Sequence, residues 1–262
     1  MGEVYPCAAG STFVNSVCLA PENWCGKLGH KFEDTMQDPE NGTFCTEETC
    51  KETVARAPTT LINLFKMPEE CEAEWIKLRG QVLASDAIPI TKSPFFLEDV
   101  LDVPHDKMPN THPRTAGCYG KALRLAREHH VPLMHLISMC SHTSAMHLGR
   151  TGLKSMQERG RMQVGMIADI AVFNPDTIQD NATYAQGILP TSGIPCVLVN
   201  GTLVVNEGKI VPRAHAGQPI RHKPVTGRQS DPIDVEKWKH VYVSAKVDFG
   251  GSDPDQRFSC CS

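Results

Sequence analysis

The sequence predicts an α/β chain whose last third turns β-rich. Three observations carry this. A short apolar run, Val82-Leu83-Ala84, leads into Ser85-Asp86 and closes at Pro89, which reads as a buried strand with an acid at its C-terminal end. From Thr115 the apolar residues recur at helical spacing. Near the end, Asn200-Gly201 separates two runs of branched residues, the pattern of a tight hairpin.

The elements follow in order. Glu3-Val4-Tyr5-Pro6 reads as a strand at the start, running into a small-residue loop over Cys7–Phe13. Residues 21–50 are polar and rich in turn formers, so an insertion or long loop with short helices is expected. Thr46 can cap a helix whose first turn carries Glu47 and Glu48 and which ends near Ala57-Pro58. Leu61–Phe65 is a strand or buried turn. Pro68 starts a further helix, which runs to about Leu78 and stops at Gly80. After Asp86 a long loop over 87–115 holds Pro89, Pro94, Pro104, Pro109 and Pro113.

The next helix places Tyr119, Ala122, Leu123 and Ala126 on one face, with Lys121, Arg124 and Arg127 outside. Another begins at Val131-Pro132 and turns Leu133, Leu136, Ile137 and Cys140 inward, a stripe that core packing explains. Asp169–Pro175 alternates and reads as a strand. Cys196–Val199 and Thr202–Val205 form the hairpin, with Lys209-Ile210-Val211 beyond it. The organisation expected is 1–158 αβ, 159–222 β-rich, and 223–262 a polar tail holding Trp238 and Val241-Tyr242-Val243.

Composition narrows the function classes. A net charge of −4 gives no bulk basic surface for nucleic acid or anionic lipid. No apolar run approaches membrane-spanning length, so no membrane partner is expected. The first residues carry neither a basic nor a long apolar stretch, so no secretory signal is read. The 11 cysteines are odd in number and never spaced Cys-x-x-Cys. A cytoplasmic chain with reduced thiols is the expectation. His129-His130 are adjacent and point apart on a helix, while His135, His142 and His147 read as helix surface or satisfied core. Taken locally, Ser85 or Asp86 could simply cap the turn after the strand.

Six motifs occur in one order. They are Val4–Thr12, Ala84–Pro89, His112-Pro113-Arg114-Thr115-Ala116-Gly117, Gly160–Pro175, Gly193–Gly201 and Gly217-Gln218-Pro219-Ile220-Arg221. The series resembles the C-terminal part of the N-acyl-D-amino-acid deacylases, in the amidohydrolase superfamily, and looks closest to the N-acyl-D-glutamate branch. It covers roughly residues 3–225.

The resemblance implies a C-terminal fragment of a (β/α)8 barrel plus the C-terminal strands of an accessory β-sandwich. Tyr5–Thr12 would be barrel strand seven and its loop, and Val82–Asp86 strand eight. It implies a zinc-dependent hydrolase of linear amides acting on a small N-acyl-D-amino acid. Asp86 would be both metal ligand and proton shuttle. Arg114 would grip the substrate carboxylate with a planar fork. Ser11 and Tyr5 would be further substrate contacts, and His112 would shape the loop. A tyrosine of the family's Tyr-Pro-Tyr is Cys7 here. The family's His-x-His pair and its other ligands lie upstream of the Tyr-Pro motif. The expectation is therefore a chain inactive by itself that holds no zinc, or a non-catalytic remnant for which a homologous chain supplies missing strands.

Overall fold

A pair of short parallel strands sits at the centre of the site's architecture. β1 (Gly2–Val4) runs beside β5 (Gln81–Leu83), with Val4 opposite Leu83. Parallel neighbours need a long crossover, and residues 5–80 supply it. The computed structural model describes residues 2–87, 108, 110–222 and 234. Residues 1–220 form one unit and 221–262 a second, and all the secondary structure described lies in the first. Trp238, the Val241–Val243 run and most of the proline-rich loop lie outside the described residues.

The crossover contains its own small sheet. β2 (Ala9–Phe13) pairs antiparallel with β4 (Leu61–Phe65), and β3 (Met36–Gln37) lies on the other side of β4. The small-residue loop expected over Cys7–Phe13 is therefore mostly strand. Ala9-Gly10-Ser11-Thr12 has little intrinsic strand character, and pairing with the apolar β4 decides the matter. α1 (Phe32–Thr35) packs on this sheet, and α2 (Glu47–Arg56) contributes Cys50 to the core beside it. Trp24, Phe32, Met36, Ile62 and Leu64 make up much of its core.

α2 starts where the sequence places it. Thr46 Oγ1 accepts from the Thr49 N–H at 3.2 Å, and Thr49 Oγ1 accepts from the Thr46 N–H at 2.8 Å. This reciprocal box satisfies two donors that the first turn leaves open. Thr46→Ala is expected to cost about 1 kcal/mol. A urea midpoint measures it, and an unchanged midpoint would show that the box contributes nothing.

α3 (Cys71–Trp75) is shorter than the expected helix over 68–78. Three-residue turns at each end, Cys71 N–H to Pro68 O and Leu78 N–H to Trp75 O, carry the coiling without regular helix. Gly80 ends it at φ +77°, a conformation glycine adopts freely.

α4 (Arg114–Glu128) is the longest helix among the described residues. Its buried face is Gly117, Cys118, Ala122, Leu125 and Ala126, whereas Tyr119, expected inside, is 45% exposed. The three cations expected outside are all engaged. Lys121 reaches Glu72 at 2.7 Å and Arg124 reaches Asp180 at 2.5 Å. Arg127 donates to the carbonyls of Pro175 and Ile178. Small residues let the later chain come close, because a Cβ on Gly120 would sit 2.5 Å from Thr191 Oγ1.

α5 (Leu133–Ile137) and α6 (Thr143–Gly149) continue through one wider turn at Ser138–His142. Leu136 and Met139 face the core, and Leu133 is 37% exposed. α7 (Lys154–Gln157) precedes a four-stranded antiparallel sheet of β6 (Ile170–Val172), β7 (Cys196–Val199), β8 (Thr202–Asn206) and β9 (Lys209–Ile210), in that order. Asn200 at φ +47° and Gly201 at φ +77° make the β7–β8 turn as the sequence predicts.

Candidate functional site

The site begins where β5 ends. Ala84 N–H still bonds Val4 O at 2.9 Å, and then the chain leaves the sheet. Ser85 Oγ accepts from the Ala87 N–H at 3.3 Å, so Ser85 caps the turn. Asp86 stands at φ +48°, in the left-handed region. A non-glycine residue is uncommon there, although aspartate tolerates it better than most. Its side chain is half exposed.

Asp86 Oδ2 meets Arg114 Nη2 at 2.9 Å. Arg114 is the first residue of α4 and is only 3% exposed. Its guanidinium carbon lies 5.0 Å from the centre of the Tyr5 ring, which follows β1. A guanidinium against an aromatic face is favourable. Burial pushes the Tyr5 hydroxyl above its ordinary range, and Arg114 pulls it back in part. Arg114 Nε is buried without a hydrogen-bond partner among the described residues, so the fork has a free donor. The strand ends thus bring Tyr5, Asp86 and Arg114 together. Ser11 is not in this set, since it lies in β2 opposite Asn63.

His112 fixes the loop before α4. Its Nε2 donates to Ala9 O at 2.9 Å, and its Nδ1 accepts the Arg114 N–H at 3.1 Å. Both nitrogens are taken by backbone, so the ring is neutral and carries its proton on Nε2. Burial, with the Arg114 charge behind it, pushes its pKa down to about 3.

Four residues around this group escaped sequence reasoning. Glu72 is buried, accepts the Ala8 N–H at 2.6 Å and pairs with Lys121. Tyr184 accepts the Ala9 N–H at 3.3 Å and packs edge-on against His112 and Phe65. Asn110 donates to Pro39 O and Tyr184 O and accepts from the Gly187 N–H. Asp180 anchors Arg124 through two oxygens. The only signal available was the polar type of each residue, which nothing in the local sequence places. Cys7 is 2% exposed, and burial pushes its thiol up to about 11, so it is a poor ligand or nucleophile as it stands.

The described residues do not make a zinc centre. Among the described residues no three His, Cys, Asp or Glu side chains are grouped so that they could hold a metal ion. Asp86 is paired with a cation, and both nitrogens of His112 are occupied by backbone. No helix among the described residues is long and apolar enough to cross a membrane.

Parts of known proteins resemble the chain. No protein-family model matches the chain. Three relatives from Alcaligenes xylosoxydans xylosoxydans do. A D-aminoacylase is 33% identical over 121 residues, which are 44% of this chain and 22% of that protein. An N-acyl-D-glutamate deacylase is 38% identical over 103 residues, 39% of this chain and 20% of the relative. An N-acyl-D-aspartate deacylase is 36% identical over 101 residues, 37% and 18% of the two chains.

Solved structures agree. A D-aminoacylase described as defining a novel subset of amidohydrolases superposes with a TM-score of 0.60 at 22% identity, covering 82% of this chain and 41% of that one. The N-acyl-D-glutamate deacylase from Bordetella bronchiseptica, complexed with zinc and a phosphonate mimic of the tetrahedral intermediate, gives 0.56 at 21% identity, covering 81% and 42%. The chain spans about a fifth of the length of the curated relatives and about two fifths of the solved chains. It is a homologue, over part of their length, of a D-aminoacylase and of N-acyl-D-glutamate and N-acyl-D-aspartate deacylases, and over most of its own length it shares the fold of the solved D-aminoacylase.

Proposed function

We propose that this homologue of the N-acyl-D-amino-acid deacylases carries the proton-shuttle and carboxylate-binding part of a linear-amide hydrolase. β1 and β5 are its two adjacent barrel strands, and β6–β9 are the closing strands of the accessory sandwich. The observation that carries this reading is the Asp86–Arg114 pair at the C-terminal end of a parallel strand, the end where such barrels keep reacting groups. Asp86 is exposed enough to take a proton from an attacking water and return it to the leaving amine. Arg114 holds Asp86 in place when the site is empty. When an N-acyl-D-amino acid binds, its carboxylate takes Nε and a terminal nitrogen as a two-point clamp. Tyr5 supports the guanidinium from its ring face, and Ser11 is the more remote substrate contact. No step is assigned to zinc, because the described residues do not supply its ligands.

The chain by itself is expected to hold no stoichiometric zinc and to leave N-acyl-D-glutamate and N-acyl-D-methionine intact. Metal analysis and an amine-release assay with added zinc test both. A chimera placing residues 2–222 in the Alcaligenes N-acyl-D-glutamate deacylase, in exchange for the matching segment, is expected to be active. Asp86→Asn in that chimera should lower kcat by roughly 10²–10⁴-fold, the usual worth of a general acid–base group. Asparagine also tolerates the left-handed backbone, so the fold is kept. Turnover by the chain alone, or a chimera indifferent to Asp86→Asn, would overturn the reading.

One observation favours a second reading. β1 and β5 form a sheet of two strands among the described residues, open along both edges. Parallel sheets are normally larger and covered on both faces. A homologous chain adding strands to those edges would make the protein a strand-complementing partner rather than an enzyme. Light scattering after gel filtration discriminates the two, since a folded monomer excludes complementation.

A further inference from the structure

The chain just before β5 lines a cleft of about 420 Å³. Lys77 and Arg79 form one side, in the segment between α3 and β5. His129 and His130, past the end of α4, and His135 in α5 form the other. Among the described residues no carboxylate lines this cleft. The two sides are tied together, because His135 Nε2 donates to Ile76 O at 3.2 Å, at the end of α3. The cleft is remote from the Asp86–Arg114 pair. Arg114 opens α4 and His129 follows its last residue, so the helix separates them by about 22 Å.

The basic groups of this cleft are available. Arg79, His129 and His130 are exposed, and their side chains make no hydrogen bond or ion pair among the described residues. Lys77 pairs with Glu74 at 2.6 Å, but such surface pairs contribute little and yield to a competitor. The neighbouring Glu128 is held by Arg124 at 2.8 Å. His130 stands at φ +56°, just past the helix end, where glycine is the usual choice. Its N–H returns to Arg127 O, and the Val131 N–H bonds Ala126 O at 2.8 Å, so these late carbonyls of α4 are engaged. An imidazole is thus kept where the backbone favours a residue with no side chain.

We infer that this cleft is a binding site for a small soluble anion bearing phosphate groups. Arg79 offers a planar fork, Lys77 a point charge, and His129 and His130 ring N–H donors. A lone carboxylate has two oxygens and one charge, too few for four such groups. A phosphate presents three acceptor oxygens and up to two charges. The volume leaves room for a second phosphate beside the first. Val131 and Pro132 supply the apolar part of the wall, and Val131 is buried. A soluble anion fits better than a polyanionic surface, since the basic groups are confined to one cleft on a chain of net charge −4. This inference does not depend on the deacylase reading.

Titration calorimetry on the full chain tests this, with inorganic pyrophosphate as the probe. The expected result is one pyrophosphate per chain, bound more weakly as salt rises. Arg79→Gln should weaken binding about tenfold or more, the usual worth of a charge-assisted hydrogen bond. His130→Gly should weaken it several-fold, and it keeps the fold because glycine takes the left-handed backbone freely. Lys154→Gln, an exposed cation on α7, is the control and should bind as the natural chain does. Absence of saturable binding would overturn the proposal, and so would an affinity that neither cleft variant changes. An equal loss in Lys154→Gln would do the same, since it would mark diffuse charge attraction. Phosphatidylcholine vesicles containing phosphatidic acid separate the two sources of phosphate. Sedimentation with the vesicles, without pyrophosphate binding, would overturn the soluble anion in favour of a lipid surface.

Discussion

Stability is expected to fall by about 1.4 kcal/mol for each unit of pH between 6.5 and about 4.5, above the range where most carboxylates titrate, because His112 stays neutral in the fold. The sign follows from which state binds the proton. His112 has an ordinary pKa of 6.5 and a folded value of about 3. Below 6.5 the unfolded chain takes up a proton that the folded chain refuses. The stabilisation is fully present above 6.5 and is lost as pH falls toward 3. A proton on Nδ1 would leave the Arg114 N–H without its acceptor and set a second positive charge beside the guanidinium. His112→Gln keeps an N–H for Ala9 O and cannot titrate. Urea midpoints from pH 7 down to about 4.5 should slope steeply for the natural chain and much less for the variant. Equal slopes would mean that another group is responsible.

Gly187→Ala is expected to destabilise the chain by about 3 kcal/mol or more, at the upper end of overpacking costs. A Cβ there would overlap the Thr111 carbonyl oxygen, with the carbonyl carbon at 2.7 Å and that of His112 at 3.1 Å. These are backbone atoms, so no side chain can swing aside. Asn110 adds to the constraint by accepting the Gly187 N–H at 2.7 Å. Gly217→Ala is the control, since nothing lies within 4 Å of its added carbon. Thermal midpoints compare the two, and similar values would show that the segment at Gly187 can retreat at little cost.

Local chemistry was legible in the sequence, and long-range chemistry was not. Asn200-Gly201 and Thr46 state their own structure, because a type I′ turn and a helix cap depend on a few adjacent residues. Ala9–Phe13 does not, because its strand exists only through Leu61–Phe65. The motif around Asp86 and the one around Arg114 each pointed to a site. That the two side chains would pair, with Tyr5 beneath the guanidinium, is a property of how strand ends converge. Glu72, Asn110, Asp180 and Tyr184 lie beyond what periodicity can place, since each acts on a residue far along the chain. Lys121, Arg124 and Arg127 were read as solvated because helical spacing shows which face is apolar, not what later packs on the polar face.

The long-range bonds made by α4 and by Asn110 just before it also bear on the order of folding. The Asn110–Gly187, Arg124–Asp180 and Arg127–Ile178 bonds join residues 77, 56 and 51 positions apart. The helix needs only neighbours a turn away, whereas these three bonds must first close long loops of chain. We expect helix α4 to form early and the stretch around residues 175–191 to dock on it late. Contacts made after the rate-limiting step govern how fast a chain comes apart rather than how fast it assembles. Arg124→Ala and Arg127→Ala are therefore expected to speed unfolding more than they slow folding, as rates of unfolding and refolding in urea would show.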